Sequence, residues 1–370
     1  MRIAGVMTGT SFDAIDVAIC DIQPEGDRDA VSLFAFKSFP FQERTQELLR
    51  HVVHADMSLE QLSDLAFVLA REYAEAIRDI EREHSTSVEA VAIHGQTIWH
   101  HPPYSTWQIG SGPALSALLA RTVVSDFRSA DVALGGQGAP LVPIFDHATL
   151  CKPSTCRVAL NIGGMANLTL LPPACCIETL QAFDTGPGNV WIDAGTRLTF
   201  GKHYDQDGAI ARAGRIIAPM LAEMQSMPYF SVQPPKSTGR ELFTLQEAQR
   251  LITKYSQPSS PLEDVVSTMT ELTAWSIADH IHRYAPVAKE IIISGGGSQN
   301  SFLLERLEAQ LMENQMPTKL VVHEHWREKE AMAFAYLGFL TLSGRPGNVP
   351  SVTGATKMAV LGSVSSQHVL

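Results

Sequence analysis

The sequence has few cysteines and no excess of basic residues. Its 370 residues include five cysteines, and neither the pair at 151 and 156 nor the pair at 175 and 176 has the CxxC spacing of a zinc site. Five thiols in a chain of this length do not predict a disulfide framework. The net charge of −11 argues against non-specific nucleic-acid binding, which needs a basic footprint.

Long apolar runs and export signals are also missing from the sequence. No segment reaches the roughly 18 uninterrupted apolar residues that suggest a membrane-spanning helix. Residues 1–20 lack the basic region, apolar core and cleavage site of a signal peptide. We therefore expect a cytoplasmic protein that binds neither a membrane nor nucleic acid.

Two common nucleotide-binding motifs are incomplete. The glycines of "GGGSQN" (295–300) lack the GxGxxG spacing of a dinucleotide fingerprint. Residues 236–238 (KST) resemble the end of a Walker motif, but the glycine that should precede them is missing. A nucleotide, if one binds, would therefore bind to a different fold.

The remaining composition is typical of a well-packed α/β protein. Hydrophobic residues make up 45% of the chain and charged residues 18%, and the length predicts two domains. A strand, glycine turn and strand at 2–22 recur at 157–171, which suggests a duplicated unit with a ligand cleft between its halves. Hydrophobic periodicity predicts strands at 3–7, 15–22, 33–39, 88–94, 122–125 and 290–294, and helices at 58–83, 112–121, 262–284 and 301–315.

Three glycine clusters could contact phosphate. The first turn offers Gly9, Thr10 and Ser11, whose amides and hydroxyls suit phosphate oxygens, followed by Asp13, which could hold Mg²⁺. The plainer interpretation is a hydroxyl-rich hairpin turn with a capping aspartate. The second cluster is Gly163-Gly164, and the third, 295–297, joins a strand to a helix, where the backbone permits close approach of a ligand.

Three further residues are candidates for chemistry. Asp184 comes at the end of an apolar run and before a glycine-rich helix start, so it is either a general base or a helix cap. His94 either faces a cleft or is a hydrogen-bonded core histidine. Glu330 is either a ligand-facing group or the usual acidic residue of a first helical turn.

Together the motifs resemble the anhydro-N-acetylmuramic acid kinase family, within the acetate and sugar kinase/Hsp70/actin superfamily. That family opens with the pattern G-V-M-S-G-T-S-L-D-G-x-D, and residues 5–16 here read GVMTGTSFDAID. The resemblance extends over nearly the whole chain. Further matches are HGQT (94–97), QIG (108–110), DFR (126–128), 135–143, NIGG (161–164), 184–189, 235–241, GGG (295–297), PGN (346–348) and VTGA (352–355).

The resemblance implies a fold and a reaction. The fold would be α/β, with two RNase H-like domains of the actin/hexokinase ATPase type and an active site in the cleft between them. We place the N-terminal domain at 1–130 plus about 340–370, and the nucleotide-binding domain at 131–339. The reaction would use ATP and water to open the 1,6-anhydro ring of anhydro-N-acetylmuramic acid and phosphorylate O6 during peptidoglycan recycling.

The resemblance also implies roles for individual residues. Asp184 would be the catalytic base, and Asp13 and Glu330 would position Mg²⁺. The sugar would contact His94, Gln96, Thr97, Arg128 and Asp131. ATP would contact the two glycine turns and the third glycine cluster, through Gly9, Thr10, Ser11, Phe12, Asp13, Ala14, Ile15, Asp16, Gly163, Gly164, Gly295, Gly296 and Gly297.

The sequence departs from the family pattern in two places. Thr8, Phe12 and Ala14 replace Ser, Leu and Gly, and the alanine makes a positive φ at position 14 less favourable. In "DFRSAD" (126–131) only Arg128 remains of three arginines. Because arginine suits the lactyl carboxylate of muramic acid, a kinase of another anhydro-sugar such as levoglucosan is the nearest alternative.

Two unlike functions remain as alternatives. A chaperone-like or actin-like ATPase would share the superfamily fold, but it would need an attached partner-binding domain or a polymer surface. A nucleotide-binding module without catalysis would not need an aspartate in "DTGPGN" (184–189). The sequence leaves a homodimer open.

Overall fold

The chain folds into two compact units. We describe a computed structural model that covers residues 1–9, 12, 14–26, 28–53, 57–173, 176–239, 241–256 and 261–366. The first unit contains Met1–Thr149 and Glu328–Leu370, and the second contains Leu150–Arg327. Residues 131–149 and 328–339, which the sequence analysis placed in the second domain, therefore belong to the first. The cleft expected between the domains stays a prediction.

The described residues form strands and helices throughout both units. The strands are β1 (Arg2–Thr8), β2 (Ala14–Glu25), β3 (Arg28–Pro40), β4 (Ala90–Ile93), β5 (Gln96–His101), β6 (Ser105–Ile109), β7 (Thr122–Ser125), β8 (Arg157–Ile162), β9 (Met165–Leu171), β10 (Gln181–Pro187), β11 (Glu290–Ser294), β12 (Lys319–Val322) and β13 (Ser363–Ser365). The helices are α1 (Glu43–Val53), α2 (Leu59–Glu83), α3 (Gly112–Leu119), α4 (Ser129–Ala133), α5 (Pro143–Leu150), α6 (Val190–Phe200), α7 (Ala209–Ala213), α8 (Ala218–Gln225), α9 (Leu245–Tyr255), α10 (Glu263–Tyr284), α11 (Ser301–Glu313), α12 (Lys329–Leu342) and α13 (Pro350–Thr353).

Each unit is built around one main sheet, and the two sheets share a strand order. The first sheet runs β13-β7-β4-β1-β2-β3 and the second runs β10-β9-β8-β11-β12. In each sheet, the first three strands along the chain form an antiparallel meander. The fourth strand (β4 or β11) pairs parallel with the first (β1 or β8), and the fifth (β7 or β12) pairs parallel with the fourth. This is the 3-2-1-4-5 order of an RNase H-like domain, so the predicted fold class is confirmed. A separate β5–β6 hairpin extends the first unit.

Both predicted glycine hairpins are present. Strands β1 and β2 pair from Arg2–Asp21 to Thr8–Ile15, and β8 pairs with β9 in the second unit. In the described part of the first turn, Phe12 has a left-handed backbone with a φ of 59°, and Ala14 begins β2. The substitution of the family's glycine by Ala14 therefore does not place a side chain at a positive φ.

Helix α12 packs closely on the first sheet, which explains why it belongs to the first unit. A Cβ at Gly5 of β1 would lie 2.0 Å from the carbonyl oxygen of Ala331. A Cβ at Gly338 would lie 2.5 Å from the Cβ of Ala92 in β4. Small residues on both surfaces let the helix and the sheet approach, and this contact places the first turn of α12 at the sheet.

Local signals explain where the long helices begin and what they bury. Ser58 accepts a hydrogen bond from the Gln61 amide, and the Gln61 side chain accepts one from the Ser58 amide, forming a capping box before α2. In the second unit, β8, β9 and β11 pack with α10 around the fully buried Trp191. Among the described residues, no helix combines the length and the apolar character needed to cross a membrane.

Candidate active site

Asp184 lies inside β10 rather than at the end of a strand. The pairing of β10 with β9 shifts between Asp184 and Gly186, so the aspartate sits at a bulge. Bulges redirect a side chain out of a regular sheet. A Cβ at Gly186 would lie 2.8 Å from the ring of Phe230, and its φ is 153°, so a side chain there would disturb the bulge.

Three hydrogen bonds hold Asp184. Its amide donates to the carbonyl of Lys236 at 3.2 Å, and its carbonyl accepts from the Tyr229 hydroxyl at 2.8 Å. The Thr238 amide donates to Oδ2 of the carboxylate at 2.8 Å. Oδ1 carries no such bond to a described residue, so one carboxylate oxygen remains available to a reactant.

The environment raises the basicity of Asp184. Burial raises the pKa of its carboxyl group to about 6, and the negative charge of Glu241 adds to this effect. The Thr238 amide and the Lys236 ammonium oppose it. A base with a pKa near 6 is ionised at neutral pH and still accepts protons well, which suits a general base better than an ordinary aspartate does.

The second glycine turn is held by the start of α6. The amides of Gly188 and Val190 donate to the carbonyl of Gly164, at 2.9 and 3.1 Å, and the amide of Asn189 donates to Gly163 at 2.8 Å. A Cβ at Gly188 would lie 2.4 Å from the Gly163 oxygen, so this glycine is required by the fold. A Cβ at Gly164 would meet no described atom within 4 Å. Packing within the protein therefore does not require a glycine at 164, and the space beside it is open to a ligand.

The third glycine cluster divides in the same way. Gly295 has a φ of 80°, and a Cβ at Gly297 would lie 2.3 Å from Cγ2 of Ile162, so both are needed where β11 passes β8. A Cβ at Gly296 would meet no described atom within 4 Å. Gly296 instead borders a cavity of about 330 Å³, whose other lining residues are Asn189, Ile192, Asp193, Tyr204, Asp205, Asp207, Gln299 and Asn300.

In the first unit, His94 and Arg128 form one group. The guanidinium donates to Nε2 of His94 from Nε at 3.2 Å and from Nη2 at 2.9 Å, and its Nη1 donates to the Gly138 carbonyl at 3.0 Å. Burial, followed by the charge of Arg128, holds the pKa of His94 well below its usual value. The histidine is therefore a neutral acceptor that orients Arg128.

The remaining predicted sugar contacts differ in accessibility. Gln96 is fully buried, and neither atom of its amide has a partner among the described residues. Thr97 is half-buried and accepts a hydrogen bond from Gln108 at 3.3 Å. Because His94 and Gln96 are both buried in this structure, Thr97 and Arg128 are the members of the set that a ligand reaches first.

Asp131 is surrounded by protein partners. Its Oδ2 accepts from the Gly138 amide, and its Oδ1 accepts from the side chains of Asn348 and Thr353, each at 2.7 Å. The side chain has no exposed surface. This geometry supports a structural role, in which Asp131 joins the loop before Pro140 to the segment after α12, rather than the predicted sugar contact.

Glu330 lies in the first turn of α12, in an electrostatic group with Asp16 and Arg128. The residue is exposed, but the surrounding protein removes part of the hydration of its carboxylate and raises its pKa. The positive charges of Lys329 and, more weakly, Arg128 lower the pKa of Glu330, and the negative charge of Asp16 raises it further. Burial also lowers the pKa of Arg128 to about 10, against the attraction of Glu330. Two carboxylates in one electrostatic neighbourhood are the oxygen-rich setting that Mg²⁺ prefers.

Part of the first glycine turn lies outside the described residues. Thr10, Ser11 and Asp13, predicted to contact phosphate or Mg²⁺, belong to that part. Around them, the Gly9 carbonyl accepts from the Phe12 amide at 3.3 Å, and Ala14 and Ile15 begin β2. The Asp16 carboxylate accepts a hydrogen bond from the Ser38 hydroxyl at 2.6 Å.

Comparison with known proteins identifies the family. A family model described as anhydro-N-acetylmuramic acid kinase matches residues 1–367. The chain belongs to this family. This kinase is thus a phosphotransferase, and its family implies ATP and a sugar as substrates.

Solved structures resemble this kinase at low sequence identity. The activator of the 2-hydroxyisocaproyl-CoA dehydratase from Clostridium difficile, with bound ADPNP, is 12% identical, with a TM-score of 0.46 over 92% of this chain and 94% of that chain. The ROK hexokinase from Thermus thermophilus is 13% identical, with a TM-score of 0.44 over 92% of this chain and 99% of that chain.

The residues that hold the kinase's candidate base are not evident from the sequence. Tyr229, Lys236 and Thr238 all contact Asp184, although no local pattern predicts a role for them. The only signal available was the match of 235–241 to the family pattern. The partnership of His94 with Arg128 was likewise not evident, since the two residues are far apart in sequence.

Proposed function

We propose that the protein uses ATP and water to open the 1,6-anhydro ring of 1,6-anhydro-N-acetylmuramic acid and phosphorylate O6. The water oxygen bonds to C1 as the bond between C1 and O6 breaks, and the proton of the water passes to Asp184. The released O6 then bonds to the γ-phosphorus of ATP as the bond from that phosphorus to the bridging oxygen of ADP breaks. The products are N-acetylmuramic acid 6-phosphate and ADP, and we place the reaction in cytoplasmic peptidoglycan recycling.

The environment of Asp184 is the observation that carries this proposal. One carboxylate oxygen is bound by the Thr238 amide, and burial raises the pKa to about 6. A base for the attacking water must be ionised before the reaction and must accept a proton during it. An oxygen released from an acetal needs no second base, so a single carboxylate suffices for the sequence of steps.

This proposal predicts the pH dependence of sugar-dependent turnover. Below the pKa of about 6, Asp184 is protonated and cannot take a proton from water, whereas above it the carboxylate is ionised. We expect kcat/KM for the anhydro-sugar to rise with pH through about 6 and then level off. A rate profile that is flat between pH 5 and 7 would contradict the role of Asp184.

The glycines that the fold does not need support ATP binding. Gly164 and Gly296 both leave space in which a side chain would meet no described atom. Glycine at such a position lets a ligand approach the backbone. We propose that Gly163-Gly164 contact the phosphates and that Gly295 to Gly297 flank the adenosine. Phosphoryl transfer then requires mainly alignment and charge neutralisation.

Glu330 and Asp16 fit the oxygen chemistry of a Mg²⁺ site. The group of carboxylates around the start of α12 favours a cation, since the pKa of Glu330 is raised by lost hydration and by Asp16. We propose that Glu330 holds Mg²⁺ together with Asp13. When bound, the ion would neutralise charge on the transferred phosphoryl group.

Arg128 supports a substrate that carries a carboxylate. Arginine has five N–H donors, and one each on Nε, Nη1 and Nη2 is used by His94 and Gly138. One N–H therefore remains on each Nη atom, which is the pair that binds a carboxylate in bidentate fashion. We propose the lactyl carboxylate of the muramic acid as its partner. The missing arginines at Ser129 and Ala130 keep levoglucosan as the second candidate substrate.

A coupled assay of ADP release tests the proposal. We expect ATP consumption in proportion to added anhydro-N-acetylmuramic acid, and turnover of levoglucosan slower by at least about tenfold because it lacks the carboxylate. Faster turnover of levoglucosan would establish the second candidate. ATP turnover without any sugar, or none with either sugar, would refute the proposal.

A further inference from the structure

Lys236 and Tyr229 form a packed pair behind the candidate base. The Lys236 ammonium lies 4.3 Å from the centroid of the Tyr229 ring and donates a hydrogen bond to the Tyr229 carbonyl at 3.0 Å. A cation over an aromatic face is attracted to it, and more strongly where water is partly excluded. These two contacts of the Lys236 side chain therefore keep the backbone at residue 236 close to Tyr229.

Both members of this pair bind the backbone of Asp184. The Tyr229 hydroxyl donates to the Asp184 carbonyl at 2.8 Å, and the Lys236 carbonyl accepts from the Asp184 amide at 3.2 Å. Two residues further on, the Thr238 amide binds the carboxylate. Strand β10 is an edge strand, so this loop supplies the contacts that a neighbouring strand would otherwise supply.

We propose that Lys236, packed on Tyr229, is a positioning residue for Asp184. It keeps residues 236–238 against β10, so that the Thr238 amide occupies Oδ2 and the attacking water meets Oδ1. The inference rests on the proposed role of Asp184 as the base. A misplacement of about 1 Å between a base and its reactant is enough to lower a rate on the order of 100-fold.

The charges around Asp184 give this role a second, electrostatic signature. Glu241 raises the pKa of Asp184, and the ammonium of Lys236 lowers it. The Tyr229 hydroxyl faces the same aspartate, and its own pKa is raised by burial and then by Asp184 and Glu241. Removing the positive charge of Lys236 removes an attraction that stabilises the ionised carboxylate, so the pKa of Asp184 must rise.

Opposing effects set the pKa of Lys236 itself. Burial and then Arg283 lower its pKa to about 8, against Asp279 and Asp184. Arg283 donates to the carbonyl of Phe230 at 3.0 Å, next to Tyr229 in the chain. The ammonium is therefore charged at neutral pH.

Direct phosphate binding by Lys236 is the main competing explanation, because "KST" resembles the end of a Walker motif. The two roles predict different kinetics. A phosphate ligand contributes to ATP binding, so its loss raises KM for ATP. A positioning residue for the base contributes to the ring-opening step, so its loss lowers kcat and moves the pH profile while KM for ATP stays constant.

The test compares three variants in the full chain. Lys236→Met should lower kcat on the order of 10- to 100-fold and shift the rise in rate to higher pH, while KM for ATP is unchanged. Lys236→Arg, which keeps the cation over the ring, should restore most of the rate. The matched control is Lys254→Met, because the exposed Lys254 also donates a hydrogen bond, to the half-buried Glu223, and lies 5.1 Å from the centroid of the Tyr255 ring. It should behave as the wild type.

A measurement without substrate separates this inference from the proposed function. The pKa of Asp184 is read by NMR of protein labelled with ¹³C at its aspartate carboxyl groups, with the signal assigned from Asp184→Asn. A raised pKa in Lys236→Met supports the inference even if neither sugar is turned over, an outcome that would refute the proposed function alone. An unchanged pKa, or a loss confined to ATP affinity, overturns it. If Lys236→Met unfolds, Tyr229→Phe replaces it as the test, because this variant deletes only the hydroxyl that binds Asp184. We then expect kcat to fall while KM for ATP stays constant. An unchanged kcat in Tyr229→Phe overturns the inference.

Discussion

The two units share one strand order but differ in the chemistry that each carries. In the second unit, Asp184 is bound mainly by backbone groups and a tyrosine hydroxyl, and Gly164 and Gly296, with open space beside them, lie in two loops of the same unit. In the first unit, the candidate residues are side chains that act on one another: Arg128 binds the neutral His94, and Glu330 interacts electrostatically with Asp16. The shared sheet therefore supplies the framework, and the residues placed on it and in its loops decide the chemistry.

The hairpin turns show the same contrast at close range. In the second unit, the carbonyls of Gly163 and Gly164 are held by amides from the start of α6. In the first unit, the hydroxyl of Thr8 donates to the carbonyl of Gly95 at 3.0 Å, which connects the hairpin to the segment with His94. The first turn is thus joined to the candidate sugar residues, and the second to a helix.

Replacing Asp184 with asparagine should have the largest effect on function. Asparagine can still accept the Thr238 amide but cannot take a proton, so we expect kcat to fall on the order of 10²- to 10⁴-fold. ATP affinity, measured by calorimetry, should change little. Asp79→Asn, at a surface ion pair with Arg82, is the control. Retained turnover would move the base to another residue and remove the contrast between the units.

Loss of the lysine beside Glu330 should have the largest effect on stability. Lys329 pairs with Asp146 at 2.7 Å, and their side chains are 6% and 4% exposed. Lys329→Met leaves a buried carboxylate without its cation, so we expect a loss of about 3–5 kcal/mol in the free energy of unfolding. Hydrogen exchange should increase in the first unit and not in the second. The double variant with Asp146→Leu should recover much of the loss, and equal instability of both variants would contradict this account.

The three glycines at 295–297 should separate into two classes. Gly297→Ala places a Cβ 2.3 Å from Ile162, so we expect a loss of about 1–3 kcal/mol in the free energy of unfolding. Gly296→Ala should leave stability unchanged and weaken ATP binding. Thermal unfolding and calorimetric titration with ATP distinguish the two. Normal ATP affinity in Gly296→Ala would show that the ligand does not approach this glycine.

Glu330→Gln should have the smallest effect and should appear only in the metal dependence. The amide keeps the shape of the side chain but loses the charge, so we expect the Mg²⁺ concentration for half-maximal rate to rise about tenfold. The exposed Glu324, as Glu324→Gln, is the control. An unchanged Mg²⁺ titration would refute Glu330 as a metal ligand and leave Asp13 as the remaining candidate.

Local signals in the sequence predict much of the fold. Strand β7 occurs at the predicted residues 122–125, and α2, at Leu59–Glu83, closely matches the predicted helix at 58–83. Both hairpins follow from alternation interrupted by glycine. These features depend on neighbours in the sequence, and such neighbours are visible without a structure.

The features that were missed depend on contacts between distant residues. The glycine and proline after Asp184 predict a strand end there, whereas the strand continues through a bulge to Pro187. No periodicity shows that residues 229–238 return to hold it. The domain boundary was misplaced for the same reason, since the close approaches of Gly5 to Ala331 and of Gly338 to Ala92, which place α12 on the first sheet, join residues far apart in sequence.

The discontinuity of the first unit has a consequence for how the protein is made. Residues 1–149 leave the ribosome before the second unit, but the helix that covers β1 and β4 follows only after residue 328. The second unit is continuous, so it is complete before the first can be. Since domains fold as units during synthesis, we expect the second unit to complete its folding first. Until α12 has been synthesised, the apolar face of the first sheet stays uncovered. Chaperones that bind nascent chains would meet that face during the interval.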